Sequence, residues 1–466
     1  MRALLFAGVV SFVLSLILTP VMRNAARRWG LVDHPDHGRK LHKDPVARIG
    51  GAAILASYVL TFRALQAWTP GTVHIALIWR IAPAVLVVFA IGLIDDIWNI
   101  RPWQKFAGQT LAAVLAYWGG VHILFGGKEV PGWVGFLATV FWLVLCTNAV
   151  NLIDGMDGLA AGVGLFATTT TLIAALLQNN YDLALLVAPL AGCLLGFLRY
   201  NFNPATVFLG DCGSLTIGFF LGCCSVIWSE KSATILGMTA PLLALSVPLL
   251  DTGLAVTRRF LRGKPIFGAD RAHIHHRLLD RGLTPRRVAL LIYGACAIGA
   301  ALSLLMMNRR FEGLVIVVFC VVAWVGIQQL GYVEFMVAGR ILREGAFTRL
   351  LNSQVELRAL EMRIAAAASP AEFWEVVRRS AGTFGFEAVE MVLAGETFQS
   401  GDGDGIGGMG WMVRVPLSEF EYVELNRVRE HGDAASFADT LLRTLPPRMS
   451  EVRVRAGTGR EACPTL

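Results

Sequence analysis

The sequence predicts an all-α polytopic membrane protein with about eleven transmembrane helices, followed by a small C-terminal cytoplasmic α+β domain. Of its 466 residues, 55% are hydrophobic and only 16% are charged, and the mean hydropathy is +0.58. A soluble globular domain carries about a quarter charged residues. The apolar excess lies in long runs that stop after Tyr332. We therefore predict a membrane domain, residues 1–335, and a separate C-terminal domain, residues 345–466.

A transmembrane helix needs about 20 mostly apolar residues. The first apolar run is longer than the apolar part of a signal peptide and lacks a clear A-x-A site, so we predict an uncleaved helix there. Runs of membrane length lie at 3–22, 46–66, 76–94, 104–120, 132–150, 158–178, 181–199, 213–229, 234–256, 288–306 and 312–332.

Lysine and arginine set the expected orientation of these spans. The loops after the first, third, seventh and ninth runs hold most of the basic residues, and the intervening loops hold few. Positive loops face the cytoplasm, which places the N-terminus outside and the C-terminal domain inside the cell membrane, the inner membrane of a two-membrane cell. The net charge of +7 then reflects membrane topology, and no nucleic-acid partner is expected.

The C-terminal domain shows alternating helical and strand patterns. Helices are predicted at 354–367 and 371–379, strands at 386–393 and 412–415, and a Gly-rich loop at 400–410. The pattern does not indicate a function for this domain.

Polar residues in the membrane domain fall into five clusters, and all five lie on the predicted cytoplasmic side. The clusters are 33–51, 95–105, 148–158, 210–214 and 268–277. Acids, amides and histidines at a bilayer edge are costly and are therefore functional candidates. A transporter would place such groups near the middle of the bilayer, in paired halves. The clusters instead predict a site on one face of the membrane, although basic residues of the 33–51 loop more often contact lipid headgroups or set topology.

Two clusters end the third and fifth spans. Asp95 and Asp96 lie three to four residues from Asn99, so the three share a helical face, and adjacent carboxylates suit a cation or a general base. An acidic helix end in water is an equal alternative. In the second cluster polar residues recur every third position, which predicts a stripe of amides and acids that leads to a glycine turn: Asn148, Asn151, Asp154 and Asp157.

The remaining clusters supply an acid and a basic patch. Asp211 lies between glycines at the start of a span, where it fits either a metal ligand or a plain helix cap. Arg271, His273, His275 and His276 follow the ninth run. No thiolate or carboxylate stands at zinc spacing, so a cationic patch for a pyrophosphate fits better. Lys105 is a further phosphate-binding candidate, or a snorkelling side chain.

Together these residues resemble the polyprenyl-phosphate N-acetylhexosamine-1-phosphate transferases. The motifs D-D-x-x-N at 95–99, N-x-x-N-x-x-D-G-x-D-G-L at 148–159, G-D-x-G-S at 210–214 and A-D-R-x-H-x-H-H at 269–276 occur in order, within residues 20–335. The resemblance implies that undecaprenyl phosphate attacks the β-phosphate of a UDP-sugar and that UMP is released. Its expected partners are these two substrates and membrane lipids, and a homodimer is left open.

The resemblance also implies roles for individual residues. Asp211, with Asp154, would hold Mg²⁺ or Mn²⁺, and Asp95 and Asp96 would act near the lipid phosphate as base or metal-shell groups. The substrate-binding residues would be Asn99, Lys105, Asn148, Asn151, Asp157, Arg271, His273, His275 and His276. Asp154 would be both catalytic and a metal ligand.

Three alternatives remain from the sequence. The His-x-His-His form at 273–276 resembles the branch that uses UDP-N-acetylglucosamine, whereas the phospho-muramoyl-pentapeptide transferases carry three consecutive histidines. A transporter and a membrane scaffold for the C-terminal domain are the other classes. The extension beyond residue 345 departs from short-tailed members of the family.

Overall fold

A computed structural model of the chain describes residues 1–33, 45–69, 76–123, 132–230, 239–261, 273–308, 310–330, 346–384, 386, 388–393, 395–400, 411–418, 420–427, 440–441 and 445. The chain divides into two compact units, Met1–Glu334 and Phe335–Leu466. Each unit has an apolar core of its own.

The first unit is almost entirely helical because its sequence consists of long apolar runs between short polar connections. Its helices are α1 Arg2–Arg28, α2 Gly50–Trp68, α3 Ala76–Trp98, α4 Pro102–Trp118, α5 Gly132–Ile153, α6 Leu159–Leu177, α7 Tyr181–Asn201, α8 Asp211–Glu230, α9 Thr239–Ala244, α10 Ser246–Leu261, α11 Ile274–Asp280, α12 Pro285–Leu305 and α13 Glu312–Gln329. A two-stranded antiparallel sheet, β1 Val32–Asp33 and β2 Val46–Ala47, precedes α2.

Eight of the helices in the described ranges are long and apolar enough to cross a membrane: α1, α3, α5, α6, α7, α8, α12 and α13. The predicted helical, multi-span architecture is therefore confirmed. Three further predicted spans coincide with α2, α4 and the α9–α10 pair, which do not reach the same length and composition. The total of eleven spans stays a prediction. The ninth run forms two helices, since α9 ends at Ala244 and α10 begins at Ser246.

On the inner face of α1, small and hydroxyl side chains rather than large apolar ones contact the rest of the bundle. On α1, Ser11 and Ser15 are buried while Val9 and Val13 are exposed. The Ser15 hydroxyl donates to the carbonyl of Cys193 on α7 at 2.8 Å. In a bilayer, large apolar residues gain nothing by turning inward, so close backbone packing and interhelical hydrogen bonds hold helices together.

Exposed tryptophans mark both ends of the bundle. One group lies where α1 and α3 end and α4 begins: Trp29, Trp98 and Trp103. The other lies at the opposite helix ends of α2, α3, α4 and α5: Trp68, Trp79, Trp118 and Trp133. Tryptophan is enriched at both membrane–water boundaries. The two groups lie where the two edges of a bilayer are expected, and the described residues at 95–105, 148–158 and 210–214 lie at the end marked by Trp98.

The second unit contains two helices and a four-stranded antiparallel sheet. The helices are α14 Ala346–Ala366 and α15 Pro370–Thr383, and the strands are β3 Ala388–Leu393, β4 Glu396–Ser400, β5 Trp411–Pro416 and β6 Tyr422–Arg427. The strand order is β4-β3-β6-β5. Val389, Met391 and Leu393 are buried on one face of the sheet, as are Phe373 and Val377 of α15. The predicted loop at 400–410 falls almost wholly outside the described residues.

Candidate active site at one membrane edge

Four helix ends bring three of the five polar clusters together, those at 95–105, 148–158 and 210–214. Neighbouring helices run in opposite directions, so the ends of α3 and α5 lie on the same side as the starts of α4 and α8. These ends carry the motifs at 95–99, 148–154 and 210–214. The structure thus gathers residues that are more than a hundred positions apart.

Lys105 is at the centre of this arrangement. Its ammonium donates to Asp95 Oδ2 at 3.0 Å and also to Asp211 Oδ2. Asn151 Nδ2 donates to the other oxygen of Asp211 at 2.8 Å and to Ser214 Oγ at 2.9 Å. We call these five residues the acid–lysine network. The Lys105 side chain is 17% exposed and the two acids 15% and 23%, so the charges are largely shielded from water yet still reachable.

Asp96 has a different position from its neighbour. Its two carboxylate oxygens accept from the backbone N–H groups of Asp211 and Cys212, at 2.8 and 2.9 Å. Asp96 is buried and caps the start of α8, where unpaired N–H groups and the helix dipole favour a carboxylate. Gly210 has a φ of +74°, and a Cβ there would approach Asp96 Oδ2 at 2.7 Å. The cap therefore fixes the position of Asp211, and a catalytic role for Asp96 stays a prediction.

Asp95 keeps more freedom. One of its oxygens accepts from the N–H of Ile100 at 2.8 Å, and the other pairs with Lys105. Asn99, the residue before Ile100, has a φ of +49° and an exposed side chain. Within the described part of the chain that side chain makes no hydrogen bond. Of the adjacent acids, Asp95 is thus the one that faces the open side of the site.

Asn148 lies one helical turn further into the bundle than Asn151. Its side-chain nitrogen donates to Gln109 Oε1 at 2.6 Å, and the Gln109 amide reaches back to Asn148 Oδ1 at 3.4 Å. Gln109 is buried in α4. This amide pair joins α4 to α5 beneath the acid–lysine network, so Asn148 is positioned as a support for the predicted site.

The two acids of the glycine turn, Asp154 and Asp157, have different surroundings. Asp157 Oδ2 accepts from Asn203 Nδ2 at 2.9 Å and from the N–H of Ala205 at 3.0 Å, which ties the turn to the segment after α7. Asp154 follows the end of α5, and its carboxyl makes no hydrogen bond to any described residue. Burial, followed by the charges of Asp211 and Asp96, holds the pKa of Asp154 well above its usual range.

These oxygens suit a hard divalent cation. No three acids, histidines or thiols of the described residues converge as a ready-made metal cage. Mg²⁺, however, is usually held by one or two carboxylates together with substrate phosphates and water. Asp211 and Asp154 offer two carboxylates, and the crowded negative charge around Asp154 would be relieved by a cation. The residues therefore fit the predicted Mg²⁺ in donor chemistry.

The histidine cluster lies against the glycine turn. His275 is 2% exposed, and its Nε2 lies only 2.7 Å from the position that a Cβ on Gly155 would take. The ring therefore packs against the bare backbone of that glycine. Burial lowers the pKa of His275 to about 4, with His276 as the next cause. A neutral, buried ring does not fit the predicted cationic patch at this position. His276 packs beside it with ring centroids 4.3 Å apart, and Arg271 lies outside the described residues.

Asp251 is the site residue that the sequence did not single out. It lies on α10 and is 2% exposed. Its Oδ2 accepts from His273 Nδ1 at 3.0 Å, and its Oδ1 from the N–H of Ile274 at 2.9 Å. The available signal was an acid within an otherwise apolar run, because an ionisable residue inside a membrane segment is a functional candidate.

An apolar groove begins next to the acid–lysine network. It has a volume of about 340 Å³ and lies among α2, α3, α7 and α8. Gly51 and Gly213 line one end, two residues from Asp211, and Arg63 and Gln66 line the other. Apolar side chains such as Val59 and Leu86 face it and are exposed toward the membrane. The groove offers a path for a hydrocarbon chain beside the site.

An apolar bundle with acids, amides and a lysine at one edge defines an integral-membrane enzyme that works at the level of the lipid headgroups. A family model described as glycosyl transferase family 4 matches residues 78–229. The chain is 35% identical over 301 residues, 63% of this chain and 82% of the relative, to a probable undecaprenyl-phosphate N-acetylglucosaminyl 1-phosphate transferase of Bacillus subtilis.

Two further relatives agree. A decaprenyl-phosphate N-acetylglucosaminephosphotransferase of Mycolicibacterium smegmatis is 34% identical over 71% of this chain and 90% of its own length. An undecaprenyl-phosphate alpha-N-acetylglucosaminyl 1-phosphate transferase of Escherichia coli is 29% identical over 64% and 83%. The chain belongs to this family of polyprenyl-phosphate N-acetylglucosamine-1-phosphate transferases, and the resemblance inferred from its motifs is confirmed.

Proposed function

We propose that the protein transfers N-acetylglucosamine-1-phosphate from UDP-N-acetylglucosamine to undecaprenyl phosphate and releases UMP. The observation that carries this proposal is the acid–lysine network at one membrane edge, in a chain whose relatives are named for this transfer. The product would be a lipid-linked sugar pyrophosphate, the starting point of a membrane-assembled glycan.

The reaction balances without a further reactant. An oxygen of the lipid phosphate forms a bond to the β-phosphorus of the nucleotide sugar, and the bond from that phosphorus to the bridging oxygen of UMP breaks. Phosphoryl transfer depends mainly on positioning and on neutralising charge. Lys105 supports that role because its ammonium already lies between two carboxylates and can hold phosphate oxygens at the same place.

Each neighbouring group has a part in this scheme. Asp95, on the open side, would accept a proton from the lipid phosphate when that phosphate arrives as a monoanion. Asn151 orients Asp211 through its amide. The capped start of α8 holds Asp211 rigidly, so the transition state meets a fixed charge rather than a mobile one.

Mg²⁺ is part of the proposal. Asp211 and Asp154 would hold it, and it would supply positive charge to the pyrophosphate. Mn²⁺ has the same preference for oxygen ligands. Because Asp154 is crowded by like charges, its carboxylate gains most from such a cation.

The location of the reaction follows from charge and from the tryptophans. In the sequence, lysines and arginines are concentrated in the connections after the first, third, seventh and ninth apolar runs. Because positive loops face the cytoplasm, this charge distribution supports a site on the cytoplasmic side of the cell membrane. The acceptor's phosphate lies at this edge in the bilayer, and its tail can enter the groove that starts at Gly51 and Gly213. UDP-sugars are water-soluble and would arrive from the same side.

The test is transfer in detergent micelles. Purified protein, undecaprenyl phosphate and Mg²⁺ are supplied with UDP-N-acetylglucosamine, and UMP is measured with and without EDTA. We expect lipid-dependent UMP that EDTA stops and that an Asp211→Asn variant does not produce. UMP release only with a muramoyl-pentapeptide donor would overturn the proposed donor. A folded protein that releases UMP from no UDP-sugar would overturn the reaction class.

A further inference from the structure

Asp251, the partner of His273, lies outside every motif that carries the family resemblance. Asp251 is on α10, 22 positions before His273, and both side chains are buried, at 2% and 7% exposure. Burying a carboxylate is costly unless its oxygens are hydrogen-bonded. Both oxygens of Asp251 are used, one by the His273 ring and one by the N–H of Ile274.

These two bonds have different consequences. The bond from Ile274 N–H satisfies the first backbone group of α11, so Asp251 caps that short helix from a neighbouring element. The bond from His273 fixes the ring. Since a carboxylate can only accept, Nδ1 must carry the proton, and in the neutral ring Nε2 is left without one.

The fixed segment lies against the glycine turn of the proposed active site. His273 and His275 are parallel, with an angle of 6° between the rings and 5.9 Å between their centroids. His275 fills the space that the missing side chain of Gly155 leaves open. Its Nε2 is buried and has no hydrogen-bond partner among the described residues. The side chain of His273 is 7% exposed and its contact with Asp251 uses Nδ1, so Nε2 is the nitrogen of that ring to consider for a ligand.

We infer that Asp251 is a positioning residue for the donor sugar: it holds His273 in the Nδ1–H form, so that Nε2 accepts a hydrogen bond from a hydroxyl or amide N–H of the nucleotide sugar. The inference rests on the proposed function for the identity of the substrate. It assigns to α10 a part in donor binding that no motif of the sequence indicated. For histidines that bind a metal, the loss of such an outer partner typically costs about 10- to 100-fold in affinity or activity, and we expect an effect of the same size here.

The decisive variant is Asp251→Asn. Asparagine keeps the size of the side chain and can still accept from Ile274 N–H through its carbonyl oxygen. Its amide NH₂ then faces His273 Nδ1, which must become the acceptor, and the ring proton moves to Nε2. An Nε2–H cannot accept from the sugar. We expect kcat/KM for the UDP-sugar to fall about 10- to 100-fold, with an unchanged KM for polyprenyl phosphate.

A matched control is the neighbouring Thr252. It is 5% exposed, and its hydroxyl has no hydrogen-bond partner among the described residues. Thr252→Val therefore changes a buried position next to Asp251 without touching the histidine contact, and both kinetic constants should stay within about twofold, the error expected when no hydrogen bond is lost. Asp251→Ala removes both the cap of α11 and the contact with His273. Its melting temperature should fall, which shows the effect of a lost cap that Asp251→Asn should not have.

The second readout is the ring itself. With ¹⁵N-labelled histidine, the His273 signals, assigned by their loss in His273→Ala, should show the Nδ1–H form in the wild type and the Nε2–H form in Asp251→Asn. Wild-type kinetics in a folded Asp251→Asn variant, or an unchanged ring form, would overturn the inference. If the wild type released no UMP from any UDP-sugar, the proposed function would fail, while the ¹⁵N signals would still decide whether Asp251 sets the ring.

Discussion

Carboxylates stand beside cations in both units of the protein, but in different surroundings. In the membrane unit, Asp95 and Asp211 share one lysine and are largely shielded from water. In the C-terminal unit, Glu375 contacts Arg378 and Arg379 on α15, where 40–71% of each side chain is exposed. Water and salt screen the second kind of pair and hardly reach the first. We therefore expect charge substitutions to have large effects in the membrane unit and small effects at Glu375.

The strongest test of this contrast is Asp211→Asn. The change leaves Lys105 with one carboxylate instead of two and weakens the fixed charge at the site, so turnover should fall by at least about 100-fold. The assay is UMP release at saturating substrates, with a melting curve to show that the protein is folded. Turnover like that of the wild type would remove Asp211 from the proposed mechanism.

A second test separates the two adjacent acids. Asp96→Asn loses one of two acceptors for the start of α8 and should lower the free energy of unfolding by about 1–3 kcal/mol. Asp95→Asn should keep the melting temperature and lose most of the turnover. Melting curves and UMP release on the same samples give both values. If both variants lost turnover at full stability, Asp96 would be catalytic as well as a cap.

A third test uses pH. Burial lowers the pKa of His275 to about 4 from 6.5, so between these values the unfolded ring binds a proton that the folded ring does not. Stability is then fully present above about pH 6.5 and is lost as the pH falls toward 4. Between pH 7.5 and pH 5, the melting temperature of the wild type should fall by more than that of the His275→Gln variant. Equal losses would show that His275 is not held neutral.

The smallest effect is expected in the C-terminal unit. The two arginines lower the pKa of Glu375 to about 2, yet all three side chains are exposed. Glu375→Gln should change neither UMP release nor the melting temperature measurably, in low or high salt. A clear loss of turnover in this variant would reveal that the C-terminal unit takes part in the reaction and would break the comparison.

The helices of the membrane unit could be predicted because a run of about 20 apolar residues has few alternatives in a bilayer. The ninth run was harder. The break at Leu245 precedes Pro248, whose missing N–H suits the first turn of a helix. Proline alone does not settle the matter, because Pro83 and Pro189 lie inside unbroken helices. In the C-terminal unit, β4 and β6 were missed because charged and polar residues occupy four of the five positions of β4 and half of β6.

The sequence predicted which residues belong to the candidate site better than it predicted how they contact one another. Motif spacing indicated Asp95, Asp211 and Asn151, and the structure brings all three into one network. Helix geometry predicts that Asp95 and Asp96 point about 100° apart. Spacing could not show that Asp96 meets the start of α8, because that contact depends on how α3 and α8 pack. Asp251 was missed since its partner lies on another element, and pairing across elements is a property of packing.

The glycines of α2 and α8 have a mechanical consequence. Gly51 and Gly213 meet backbone to backbone, and the N–H of Gly51 donates to the carbonyl of Leu209 at 2.9 Å. Even one added methyl group would force these helices apart, and the first turn of α8 would move with them. The position of Asp211 against α2 therefore depends on two bare backbones, because a side chain at either glycine would displace the start of α8.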